Sequence, residues 1–167
     1  MPPITSTIEI ACPPKEVFAY ATDPGRFAEW QSDVAGVRIH GDRPPGLGTR
    51  FTTTRKIGRV EYRTTQEITD FRPPMSFAAG SVDGPLRVNA TISVEPIDGG
   101  SGSRVTFTLD FHGRGAGKLL MPDVFGRIAA SRAPQSHRNL KELLERGTYS
   151  GPDQRRRGAA GGAEHPS

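Results

Sequence analysis

A chain of 167 residues with 34% hydrophobic side chains, 20 glycines and a formal net charge of +4 suits one domain that buries about 70% of the surface its unfolded form exposes. Cys12 is the one cysteine, which excludes an internal disulfide framework and a cysteine-based zinc site; the apolar residues never run unbroken for the roughly eighteen positions a spanning helix needs. The basic residues are spread along the chain without the aromatic interleaving of a single-strand binder, so nucleic acid is not an expected partner; Met1-Pro2-Pro3-Ile4 lacks an export signal, and a cytoplasmic location is expected.

Ile4, Ile8 and Ile10 alternate with polar residues and predict a first strand, stopped by Cys12-Pro13-Pro14. Pro14 fits the first turn of a helix carrying Val17, Phe18 and Ala21, and Asp23-Pro24 starts a second short helix anchored by Phe27 and Trp30. From Asp33 the period becomes two. Val37 and Ile39 form one strand, Phe51, Thr53 and Arg55 the inner face of the next, and Gly58 the turn into Val60, Tyr62, Thr64, Gln66 and Ile68. Opposite charges occupy the alternate positions of that strand, as suits a solvent face. Arg72-Pro73-Pro74 ends it, and Met75, Phe77 and Ala79 begin another. Asp83-Gly84-Pro85 turns into Leu86, Val88, Ala90, Ile92 and Val94, and a glycine-rich loop leads to Val105, Phe107, Leu109 and Phe111.

Gly117 to Arg146 is the long stretch with helical spacing. Leu120, Val124 and Ile128 recur every four residues, and Leu140, Leu143 and Leu144 resume the stripe. Between them the face thins. Extending the second stripe backwards places Ser136, Ala133 and Ala129 where large residues are expected, so the helix either packs closely on a sheet there or leaves room for something. Pro134 predicts a kink or break. Residues 149–167, rich in Gly, Ala, Arg and Pro with no apolar period, read as a disordered tail after a domain over 1–148. The expected architecture is therefore α+β, with a curved antiparallel sheet wrapped around a long C-terminal helix and two short helices after the first strand.

No chemistry announces itself. His40, His112, His137 and His165 have no ligand spacing, and no metal or other cofactor is expected. His112 to Leu119 departs from a phosphate loop at its first position and after Lys118. No Gly-x-Ser-x-Gly elbow or paired nucleophile and base occurs.

Taken in order, Ile8 to Phe18 with Asp23-Pro24 and Trp30, Pro45 to Phe51, Ile68 to Pro74, Gly102 to Phe107 and Leu140 to Glu145 resemble the START-like, helix-grip superfamily, specifically the bacterial polyketide cyclase/dehydrase and lipid-transport (SRPBCC) family. The resemblance implies a deep cavity between sheet and helix that holds a small hydrophobic molecule: a lipid, a polyketide or an aromatic compound. The positions expected to bind it are Phe51, Thr53, Tyr62, Thr64, Gln66, Phe77, Ser81, Val88, Ala90, Phe107 and Leu109 on the sheet, with Leu120, Val124, Ile128 and Ala133 on the helix. A few polar groups in an apolar lining is the composition of a ligand pocket, although polar groups near strand ends can also meet solvent. A carrier role leads. A cyclase, aromatase or dehydratase would need substrate folding and one acid or base, for which Tyr62, Gln66, Asp83 and His137 are candidates without an assigned catalytic residue. A third reading is a protein- or membrane-interaction module, with transient membrane contact through the apolar residues 119–125. Oligomeric state has no signature.

Overall fold

The computed structural model describes residues 3–83, 86–113 and 121–147, with side chains described from Val124 onward in the last segment. Seven strands form one antiparallel sheet: β1 (Ile4–Ile10), β2 (Val34–His40), β3 (Arg50–Ile57), β4 (Val60–Arg72), β5 (Ser76–Ser81), β6 (Leu86–Ile97) and β7 (Gly102–Gly113). Their spatial order is β1-β7-β6-β5-β4-β3-β2. Two short helices, α1 (Pro14–Ala21) and α2 (Phe27–Trp30), follow β1, and α3 (Met121–Glu145) closes the described chain.

The local signals act as their chemistry requires. Pro14 occupies the first turn of α1, where its missing N–H has no intrahelical partner to lose. The Asp23 carboxylate accepts from the Gly25 amide at 3.0 Å and starts a 3-10 turn that leads into α2. Gly58 takes φ +60° in the two-residue loop between the paired Ile57 and Val60, a conformation that favours glycine.

Alternation along each strand turns one face of the sheet inward. Irregularities between Val34 and Gly36 in β2 and between Ile68 and Asp70 in β4 bend their strands, as extra residues on one side of a ladder do. The second also changes the parity of β4, so that buried Ile68 is followed on the core side by Phe71. Met75 was expected to open β5 but lies before it and is 61% exposed, because β5 begins only at Ser76 after the proline-containing turn.

The core is densest at one end of the grip. Ile10, Val17, Ala21, Val94 and Val105 pack there with Leu140 and Leu144 of α3, each nearly or wholly buried. Polar stitches reinforce the same end: Lys141 Nζ donates to the Glu9 carbonyl at 2.7 Å, and the Ala11 amide donates to Glu145 at 3.1 Å. Asn139 donates to the Trp30 carbonyl at 3.2 Å, and the Ser32 amide donates to Ser136 Oγ at 3.0 Å. Of the kink or break expected at Pro134, the break does not occur: the helix is continuous through that residue. The residues expected to precede Met121 in this helix, from Gly117, and the tail from 149 lie outside the described residues.

Candidate functional site: a cavity under the first half of α3

Moving from Leu140 toward the start of α3, the inward-facing positions shrink. Ser136, Ala133 and Ala129 replace leucine, and the sheet curves away faster than these side chains can follow. The space left is a cavity of about 170 Å³, far above the volume one water needs. Its ceiling is Phe125, Ile128, Ala129, Arg132, Ala133, Ser136 and His137 of α3; its floor comes from β3 to β7, and α2 with the loop after it closes one side through Phe27, Trp30, Gln31 and Asp33.

Eleven of the fifteen positions expected to bind a ligand stand on this wall: Phe51, Tyr62, Thr64, Gln66, Phe77, Val88, Ala90, Phe107, Leu109, Ile128 and Ala133. Three do not. Thr53 is 1% exposed and points into filled space, its hydroxyl donating to Gln66 Oε1 at 3.5 Å. Ser81 turns its hydroxyl to the β6 backbone, accepting from the Val88 amide at 3.0 Å. Val124 is 53% exposed; a repeat of four residues advances about 40° beyond a full turn at each step, so the Ile128 stripe has drifted to solvent by that position and Phe125 takes the inner place. Leu120 lies outside the described residues. Of the acid and base candidates, Tyr62, Gln66 and His137 line the cavity, whereas Asp83 is exposed outside it and accepts from the Thr65 amide at 3.2 Å.

The walls differ in chemistry. Leu86, Val88, Ala90, Leu109 and Phe111 of β6 and β7 make an apolar side. Opposite them, Arg55 Nη1 reaches both Asp33 carboxylate oxygens at 2.9 Å and Nη2 donates to Gln31 Oε1 at 3.0 Å. Tyr62, paired in register with Arg55, stacks edge-on against Phe125 with ring centroids 5.4 Å apart. Burial raises its phenol pKa; the Arg55 charge opposes that, Asp33 adds to it and Arg132 opposes it again. The phenol therefore stays protonated at neutral pH.

The inner end is aromatic. His137 stacks on Phe107 at 4.1 Å, Trp30 packs on the same Phe107 ring at 5.9 Å, and Ser6 Oγ lies 3.3 Å from His137 Nδ1. Burial lowers the His137 pKa, which keeps the imidazole neutral near pH 7. The Trp30 indole N–H is buried without an acceptor among the described residues, an arrangement that costs about 1–3 kcal/mol when nothing occupies the place of the missing acceptor. Cys12 lies elsewhere. Burial first, then its bond to Glu16 at 3.0 Å, push its thiol to about 12, so it is no nucleophile.

Sequence reasoning did not place Gln31, Asp33 or Arg132 in the site, and it put Arg55 on the inner face of its strand without counting it among the binding positions. Arg132 did carry a signal: it falls four residues after Ile128 and four before Ser136, a charged residue within the inward stripe. The Arg55–Asp33 pair spans β3 and the loop before β2, and only the folded sheet reveals it. Among the described residues no cluster of His, Cys, Asp and Glu could hold a metal, and no helix is long and apolar enough to cross a membrane.

Comparison with known proteins agrees with this architecture. A family described as polyketide cyclase / dehydrase and lipid transport matches residues 1–145. The chain is 29% identical over 116 residues to an uncharacterized protein, MT0096, of Mycobacterium tuberculosis, a match covering 68% of this chain and 49% of that protein; the chain thus spans about half the length of that curated relative. Among solved structures, a START superfamily protein from Mycobacterium smegmatis superposes with a TM-score of 0.70 at 13% identity, covering 86% of this chain and 97% of that one. The di-domain aromatase/cyclase BexL from the BE-7585A biosynthetic pathway gives 0.68 at 13% identity over 90% of this chain and 48% of BexL. At these identities the structural likeness is one of fold.

Proposed function

The chain belongs to the polyketide cyclase/dehydrase and lipid transport family of the START-like superfamily, and from that premise we propose that it binds a small, largely hydrophobic molecule between the sheet and α3. The observation that carries this reading is the change along one helix face, from Leu144 and Leu140, both buried, to Ser136, Ala133 and Ala129 over open space. Small residues there leave volume that the sheet does not refill, in a lining with an apolar side and a few placed polar groups.

Binding or carriage accounts for this arrangement without assigning a reaction. A second reading, cyclisation or dehydration of a polyketide-like substrate in the same cavity, draws on His137, neutral and able to take a proton, and Tyr62, protonated and able to donate one. Native mass spectrometry of the purified protein, followed by denaturing extraction, tests the primary reading. A reproducible small-molecule adduct lost in Ala133→Trp is expected. A bare protein mass, with no stabilisation by lipids, polyketides or aromatic compounds, would reject it.

A further inference from the structure

The polar side of the cavity is unbalanced. Its charged lining groups among the described residues are Asp33, Arg55 and Arg132, two cations and one anion, a net of +1. Asp33 is committed to Arg55, which holds both its oxygens at 2.9 Å. Arg132 has no carboxylate within ion-pair distance and no hydrogen-bond partner among the described residues, although it is half-buried against the cavity. The Tyr62 hydroxyl likewise has no acceptor there, and neither has the buried Trp30 indole N–H. Three donors, one of them charged, thus face a cavity whose one carboxylate among the described residues is already taken.

Resting on the ligand-binding reading above, we propose that the ligand is an anionic amphiphile whose carboxylate is held by Arg132 and Tyr62, its apolar body lying against β6 and β7. The charge count favours a monoanion, because one negative charge neutralises the lining and a dianionic phosphate monoester would overshoot it. A guanidinium offers two parallel N–H groups to a carboxylate, and a protonated phenol adds a third donor. On the opposite wall, Leu86, Val88 and Phe111 offer an alkyl chain or aromatic body nothing polar. Arg132 is therefore a specificity residue: it selects an acid over the matching alcohol.

Trp30 is the single tryptophan, so its emission reads occupancy of the cavity directly. The test titrates decanoate and decanol, one chain length with two head groups, at pH 7.5 while following Trp30 fluorescence. Decanoate is expected to bind roughly tenfold or more tighter than decanol, the ratio that a charge-assisted hydrogen bond supplies. Arg132→Gln should remove that preference, Arg132→Lys should keep part of it, and Arg138→Gln, on the exposed face of α3, should leave it unchanged. Near-ultraviolet circular dichroism identifies any variant that fails to fold, and the comparison of the two probes on the wild type stands without variants. Equal binding of both probes by the wild type, or a preference that survives Arg132→Gln, would overturn the anionic assignment while leaving the cavity reading intact. Failure of both probes to bind would overturn the assignment of an alkyl carboxylate, and a bare mass in the native experiment above would in addition reject the cavity reading.

Discussion

The two halves of α3 show how one helix can hold a fold together and leave it open. From Ser136 to Glu145 the helix is bonded to β1 through His137, Lys141 and Glu145 and to the α2 region through Ser136 and Asn139, and it buries Leu140 and Leu144. From Val124 to Ala133 it presents Phe125, Ile128, Ala129, Arg132 and Ala133 to a cavity, and none of these makes a polar bond to the sheet among the described residues. The difference lies in side-chain size and in curvature. Where β1 and β7 lie close, leucines fill the gap; where β3 to β6 bend away, alanines do not. The packing and polar bonds that fix the helix are thereby concentrated in its second half.

Substitutions at either end test that division, and the largest effect belongs to the packed half. Leu140→Ala is expected to cost about 2–5 kcal/mol by urea denaturation, and a loss below about 1 kcal/mol would mean that this half is not the clamp. Ser136→Ala removes the acceptor of the Ser32 amide and should cost about 1–2 kcal/mol in the same assay. Ala133→Trp reverses the pattern: by filling existing space it should change stability by no more than about 1 kcal/mol, below the usual range for overpacking a filled core, and abolish ligand binding. A large fall in Tm with binding retained would place the cavity elsewhere.

The smallest expected effect is in pH dependence. His137 has a folded pKa below its unfolded value near 6.5 because burial disfavours its charged form. The unfolded chain therefore binds more protons between the two values. The neutral imidazole's contribution is fully present above about pH 6.5 and declines as pH falls from there to the folded pKa. His137→Gln should flatten the stability profile within that window. An unchanged slope would assign the pH dependence to other groups.

Much of this division was legible in the chain itself. Strict alternation in β6 and β7 identified their inner faces, and back-extension of the Leu140 stripe reached Ala133 and Ala129, which stand on the cavity wall. Alternation tells which face a side chain takes but not how deep it sits. Thr53, on the inner face yet sealed under its neighbours, and Ser81, captured by the β6 backbone, show that limit. Val124 shows another, because a repeat of four drifts around the helix. The polar side was read only in part: alternation put Arg55, Tyr62, Thr64 and Gln66 on the inner face, but Gln31, Asp33 and Arg132 come from two other segments that meet them only once the sheet has curved.

Hydrogen exchange along α3, measured by mass spectrometry with and without saturating decanoate, tests the contrast most directly. Ligand should slow exchange in peptides covering 124–133 and leave those covering 138–145 nearly unchanged, already protected by their packing. Equal slowing of both halves, or protection confined to 138–145, would contradict a helix divided into a fixed clamp and an open cavity roof.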